Sequence, residues 1–457
     1  MEYTTVSKDL YLLSAAEATK EIKAGRLKAV DLALSCIERI RQVEPKIRAW
    51  AYFDEGKVMA QAEAVDEKIK KNEPVGPLTG ALVGIKDIFN TVDMPTGMGS
   101  PIWEGFAPGN DARVVTYIRW ADGIIAGKTV TAEFAVHYPG PTVNPHNFAY
   151  TPGTSSSGSA AAVASYMVPL ALGTQTAGST IRPASYCGIY GFKPSFGLLP
   201  RTGALKTIDT LDHVTLFARS VEDIHLLFDT LRVKGQNYPF IHRYMDESLP
   251  EKNTGSSSWK VAFVKTPAWN CAERYAQEAV VNFVSKLSSD KQIKVEKLDL
   301  PEGFDKAHEV HDLIYNKALS YYFKEEYERY RDKISKVFSE MVENGRRITL
   351  EEYRRGLEKQ RQLIHELDKF LEEHDCIITL SAAGEAPKGL HAADQRDSCL
   401  IWTLCYTPSL NLPIFKGPQG LPFGAQIVSR RFRDYRLLDF ARYLKEKDLL
   451  KDWRGDR

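Results

Sequence analysis

The sequence carries no excess of charge of either sign. Lys and Arg number 60 against 59 Asp and Glu, for a formal net charge of +1 over 457 residues. A nucleic-acid binder of this size ordinarily shows a basic excess or a basic run to neutralise phosphates. Neither is present, so no nucleic-acid partner is expected, and a bulk electrostatic partner of either sign is disfavoured. Cysteine is sparse and scattered. The six (Cys36, Cys187, Cys271, Cys376, Cys399 and Cys405) form no C-x-x-C pair, which argues against a zinc ribbon or a clustered disulfide framework and fits a reducing compartment. There is no uninterrupted apolar run of the roughly 18 residues that a membrane span needs. The richest stretch, Ala160 to Leu172, is broken by Ser165, Tyr166 and Pro169. The start, Met1-Glu2-Tyr3-Thr4-Thr5-Val6, has an early acid and no apolar core, so no signal peptide is read there. These absences leave a soluble cytoplasmic protein with no membrane partner, and an enzyme as the expected class.

What is present is an ordinary globular composition, 43% hydrophobic and 26% charged. The length suits two to four domains or one large α/β body. The first segment reads as helical, with Ser14 and Glu17 at capping-box spacing, then Val30 to Val43 stopped by Pro45, then Lys57 to Lys71. From Leu78 the texture changes. Leu82-Val83-Gly84-Ile85-Lys86 reads as a buried strand, Asp111 to Trp120 as a helix and Gly123 to Lys128 as a strand. Alternation of short strands and helices over residues 80–230 argues for an α/β sheet with helices on its faces. Residues 233–258 read as a surface connection, 303–375 as charged helices, Asp375 to Leu380 and Gly420 to Val428 as strands, and Leu437 to Leu449 as a closing helix. Internal repeats are absent.

Residues 151–203 are the compositional anomaly. Thr151 to Ala164 is almost entirely Ser, Gly, Thr and Ala, and a second small-residue loop, Thr174 to Ser179, follows an apolar strand. Small side chains let a backbone approach a ligand closely, and free N–H groups there suit a phosphate or an oxyanion. A phosphate loop needs Lys where Ser159 stands. An oxyanion hole needs only convergent N–H groups and a nucleophile. A hydroxyl nucleophile needs a base. His137, His146 and His213 sit in no G-x-S-x-G frame. Lys86 ends an apolar strand, where burial would disfavour its charged form and make it a base. A strand-end lysine reaching out to water competes on equal terms. His308 and His311, at i and i+3 on an acidic helix, could form half of a metal site, but no third ligand is evident and exposed helix histidines are the commoner case. No metal is expected. Cys187 reads as a packed small side chain.

Several motifs together resemble the amidase signature family. They are Gly84-Ile85-Lys86-Asp87, Pro152 to Ala162, Gly173-Thr174-Gln175-Thr176-Ala177-Gly178-Ser179, Cys187 to Ser195, Leu211-Asp212-His213, Pro408 to Pro413 and Gly420 to Gln426. They run in order through most of the chain, densest over 80–225. The resemblance implies one amidase domain over 1–457, an α/β/α sandwich around a large mixed, mostly parallel twisted sheet. Residues 303–375 would be a helical, substrate-shaping region. It implies hydrolysis of a small or aromatic carboxamide by a Ser–Ser–Lys triad without a cofactor, through an acyl-enzyme. Carried over by position, Ser179 is the nucleophile, Ser155 the bridging serine after a cis peptide bond, and Lys86 the base. Thr176, Ala177, Gly178 and Ser179 would supply oxyanion N–H groups. Met94 to Trp103, Tyr138, Tyr321, Tyr322 and Trp402 are substrate-pocket candidates, with Met94, Tyr138 and Trp402 foremost. A homodimer is common among such relatives.

Three departures stand out. Thr154 and Ala177 replace usual glycines, Gln175 replaces a usual acid, and Ser179-Thr180-Ile181-Arg182 moves the arginine of a Ser-Ile-Arg run by one place. The altered acid and arginine would be consistent with a single rearranged pair. Two alternatives remain beside the hydrolase. One is an amidotransferase A-type subunit in a tRNA-dependent complex. The other is an inactive family member acting as a binding protein, against which the retained Lys86, Ser155 and Ser179 argue.

Overall fold

The computed structural model describes residues 9–235, 258–392 and 396–453. The connection read at 233–258 therefore lies almost wholly outside the described residues. The strands are β1 (Trp50–Phe53), β2 (Leu82–Lys86), β3 (Ile124–Thr129), β4 (Leu170–Gln175), β5 (Tyr190–Lys193), β6 (His213–Ala218), β7 (Trp259–Val264), β8 (Ile293–Leu298), β9 (Cys376–Leu380), β10 (Ser409–Lys416) and β11 (Pro422–Val428). All belong to one sheet in the order β1-β3-β2-β4-β6-β5-β10-β11-β9-β7-β8.

The large mixed sheet is as expected, but not its mostly parallel character. β3–β2–β4 and β9–β7–β8 pair in parallel. The other six pairings between the described strands are antiparallel. The reason is local in one case: β10 and β11 are joined by a tight turn in which Gly417 N donates to Leu421 O at 2.8 Å. Such a turn permits only antiparallel pairing, whereas parallel neighbours need a crossover. β2, β3 and β4 are buried at every position, as strands covered on both faces must be, and so read as apolar or small runs without alternation.

The N-terminal helix Ala15–Lys23 starts on the expected capping box, Ser14 accepting from Glu17 N and Glu17 accepting from Ser14 N. The next helix, Ala29–Ile47, runs past Pro45 instead of stopping there. Proline forfeits its own N–H and crowds the preceding turn, but it does not remove the hydrogen bonds of the residues after it. The turn beyond it still closes, Arg48 N donating to Glu44 O at 2.9 Å, before Arg48 turns left-handed at φ 56°.

Residues 303–375 form the helices Ala307–Tyr322, Lys324–Arg329, Lys336–Arg347 and Leu350–Phe370. They share an apolar core built on Ile314, Leu319, Phe338, Val342, Leu363 and Leu367. Each such side chain contributes about 1.5–3 kcal/mol when fully buried. Gly345 lies so close to Ala307–Tyr322 that an added Cβ would sit 1.8 Å from Asn316 O. This packing fixes which face of Ala307–Tyr322 turns toward the end of β4.

Candidate active site

Lys86 closes β2 with its side chain fully buried, which removes the solvent-reaching alternative. Its Nζ lies 2.8 Å from Ser155 Oγ, 3.0 Å from Ser156 Oγ and 2.8 Å from Thr174 Oγ1. Burial holds the amine well below the usual lysine range, with the Asp212 carboxylate opposing in part. An uncharged amine among three hydroxyls can accept a proton from one while donating to the others.

Ser155 reaches the amine from the turn before the helix Ser157–Ala164, and the Thr154–Ser155 peptide bond is cis. That helix packs tightly on the sheet: a Cβ on Gly158 would lie 2.3 Å from Ala49 O and 2.4 Å from Val130 N. Ser179 stands half-buried beyond the end of β4. Ser156 N donates to its carbonyl at 3.3 Å, which brings the two serine loops together. Lys86 and Ser155 are thus joined directly, while no hydrogen bond links the hydroxyls of Ser155 and Ser179 among the described residues.

In the loop between them the carbonyls are engaged and the amides are free. Thr176 O accepts from His311 Nε2 at 2.9 Å, Ala177 O from Thr403 Oγ1 at 2.8 Å, and Gly178 O from Arg182 N at 3.1 Å. The N–H groups of Ala177, Gly178 and Ser179 donate to no described residue. Thr176 Oγ1 donates to the buried Asp212 at 2.8 Å, a carboxylate also held by Thr207 N and Ile208 N at 2.9 Å each. Burial raises the pKa of Asp212, and the Thr207 and Ile208 hydrogen bonds oppose that rise. A cavity of about 310 Å³ reaches this cluster through Thr174 and Thr176, its wall including Arg201, Asp212 and His213. His213 Nδ1 is bonded to Leu211 O at 2.6 Å, and burial holds its pKa well below the usual histidine value.

The departures find separate explanations, so Gln175 and Arg182 are not one rearranged pair. Gln175 Oε1 accepts from Thr180 N and Ile181 N at 2.9 and 3.0 Å, covering the start of the helix Ile181–Cys187. Arg182 Nε pairs with Asp397 Oδ2 at 2.6 Å, far along the chain. A Cβ on Gly178 would come within 2.7 Å of Arg182 Nη2, so the glycine at that position makes room for the guanidinium.

One expectation needs correction. His308 and His311 are buried, 4% and 2% exposed, because Ala307–Tyr322 turns that face inward. His308 Nε2 donates to Asp397 O at 3.0 Å and His311 to Thr176 O, so their spacing serves hydrogen bonding. Among the described residues no group of three or more His, Cys, Asp or Glu side chains could hold a metal ion. Of the pocket candidates, Met94 and Trp402 are buried in apolar core clusters, where they pack, while Tyr138 is exposed beside His391 and Tyr321 is exposed. Tyr322 hydrogen-bonds Asp209. Sequence reasoning missed Thr403 and Asp397 altogether and gave Thr174, Asp212 and His311 no part in the site. Thr174 and Asp212 lay within motifs already singled out, and the i, i+3 spacing marked His311, whereas Thr403 and Asp397 carried no signal.

Known proteins share this architecture. A family model described as Amidase matches residues 31–438, and the chain belongs to that family. It is 33% identical over 476 aligned positions, 94% of each chain, to the A subunit of glutamyl-tRNA(Gln) amidotransferase from Streptomyces coelicolor. The fold superposes on the peptide amidase of Stenotrophomonas maltophilia with TM-score 0.84 at 21% identity, over 99% of this chain and 100% of that one. The corresponding amidotransferase protein from Thermotoga maritima gives TM-score 0.78 at 26% identity, over 97% of this chain and 96% of that one. No helix among the described residues is long and apolar enough to cross a membrane.

Proposed function

We propose that the protein hydrolyses the carboxamide bond of a small or aromatic amide through an acyl-enzyme on Ser179. The observation that carries this reading is the buried Lys86 amine, depressed in basicity and 2.8 Å from Ser155 Oγ. Neutral Lys86 takes the proton of Ser155 as Ser155 takes that of Ser179. The Ser179 oxygen attacks the amide carbon, the C–O bond forms, and the carbonyl electron pair moves onto oxygen. That oxyanion is received by the free N–H groups of Ala177, Gly178 and Ser179, with Thr176 beside them. Collapse breaks the C–N bond, and the proton held on Lys86 returns through Ser155 to the leaving amine. Water then attacks the ester carbon, giving its proton to the same relay; the bond from that carbon to the Ser179 oxygen breaks, the proton returns through Ser155 to Ser179, and the acid is released. No cofactor enters these steps.

The test is a screen of primary and aryl amides for ammonia or amine release, with Ser179→Ala as control and fluorophosphonate labelling mapped by mass spectrometry. Labelling at Ser179 with loss of turnover in the variant supports the reading. Labelling elsewhere, or turnover by Ser179→Ala, sinks it. The 33% identity to an amidotransferase component favours a second reading, in which the released ammonia goes to a partner in a tRNA-dependent complex. The altered Gln175 and Arg182 weigh against it. Rapid ammonia release by the isolated chain, with no tRNA or second protein present, separates the two.

A further inference from the structure

We propose that His311 and Thr403 are positioning residues that set the oxyanion hole by clamping the carbonyl side of its loop. This inference rests on the hydrolase reading above. A trans peptide unit is planar, with its C=O and the following N–H pointing in opposite directions. Holding Thr176 O therefore aims the N–H of Ala177 away from the clamp, and holding Ala177 O aims the N–H of Gly178 likewise. His311 Nε2 does the first at 2.9 Å and Thr403 Oγ1 the second at 2.8 Å. Because a carbonyl only accepts, the Nε2 of His311 must carry the proton. Arg182 N, at 3.1 Å from Gly178 O, completes the series for Ser179 N–H.

The clamp is itself held. His311 stacks on Tyr315 with ring centroids 5.4 Å apart and an interplanar angle of 21°. Thr403 Oγ1 accepts from Gln175 Nε2 at 3.1 Å, which orients its proton toward Ala177 O, with the Cys399 carbonyl a longer alternative at 3.1 Å. Both donors are buried, so water is poorly placed to replace either one. Neither side chain touches substrate in this scheme. Each acts through the direction of a backbone N–H.

The experiment compares donor-removing with donor-retaining variants: His311→Leu against His311→Gln, and Thr403→Val against Thr403→Ser. For each, kcat and KM are measured on a primary amide, with the inhibition constant of a matching aldehyde, which forms a tetrahedral adduct. We expect His311→Leu and Thr403→Val to lower kcat by about 10²-fold, the scale of a lost oxyanion donor, with KM within about three-fold. Aldehyde affinity should fall in step, and Gln and Ser should restore most of both. A folded His311→Leu with wild-type kcat, a Gln variant as impaired as Leu, or a change confined to KM overturns the clamp. Should His311→Leu fail to fold, the Thr403 pair decides on the same criteria. Wild-type protein labelled away from Ser179 overturns the hydrolase reading and the clamp with it. Wild-type protein labelled at Ser179 beside an indifferent pair of variants overturns the clamp alone.

Discussion

Gln175 Nε2 donates to Thr403 Oγ1 at 3.1 Å across 228 positions of sequence, while its Oε1 covers two amides of the helix Ile181–Cys187. One amide side chain therefore does two jobs at the end of β4, which a carboxylate could not, since it has no hydrogen to give Thr403. Gln175→Leu should destabilise the protein by about 1–2 kcal/mol, the cost of a lost helix cap. Gln175→Glu should keep the acceptor to Thr180 and Ile181 and recover most of that stability. Urea denaturation midpoints of the three proteins check this, and equal losses in both variants would show that capping is not the reason.

Lys86 is predicted to be costly to stability and indispensable to rate. Its folded-state pKa lies below its unfolded one, so at pH values between the two the unfolded chain binds the extra proton. Stability then rises with pH through that window, up to the unfolded value near about 10.4. Lys86→Met should remove this group's share of the rise, be no less stable than wild type at neutral pH, and lose amidase activity by several orders of magnitude. Wild-type kcat/KM should fall as pH is lowered through the folded pKa, because the base becomes charged. Denaturation curves at several pH values and a pH–rate profile test both halves. The wild-type minus variant difference is needed, since Lys193, also buried and lowered to about 7 by desolvation, contributes a slope of the same sign.

The neighbouring Lys128 and Asp87 form a buried ion pair at 2.9 Å, with Lys128 fully enclosed. Removing the acid alone strands a charge, so Asp87→Ala should cost about 3–5 kcal/mol. Adding Lys128→Met to it should recover a large part. Chemical denaturation of the single and double variants gives the coupling directly, and strictly additive losses would show the pair to be unimportant.

Gly158 is predicted to tolerate no side chain. The clash of an added Cβ is with backbone atoms, Ala49 O and Val130 N, which cannot rotate away. Gly158→Ala should therefore lower stability by about 1–3 kcal/mol, the usual range for overpacking, and displace the Ser155 turn. The melting temperature and Ser179 labelling rate would register the two effects separately.

The sequence alone determined which local pieces exist. A lysine closing an apolar strand, two small-residue loops around another strand, and a capped first helix are all signals carried within a few residues, because burial, backbone access and capping act at that range. Tertiary structure decided what those pieces face. Lys86 meets Ser155 and Thr174 across 69 and 88 positions, and Ala177 meets Thr403 across 226. Nothing in the local pattern around Thr403 or Asp397 announces such a contact. The sheet's balance of parallel and antiparallel pairs and the inward turn of His308 and His311 were hidden for the same reason. Strand pairing and helix rotation are settled by how whole faces pack, and that is a property of distant segments meeting.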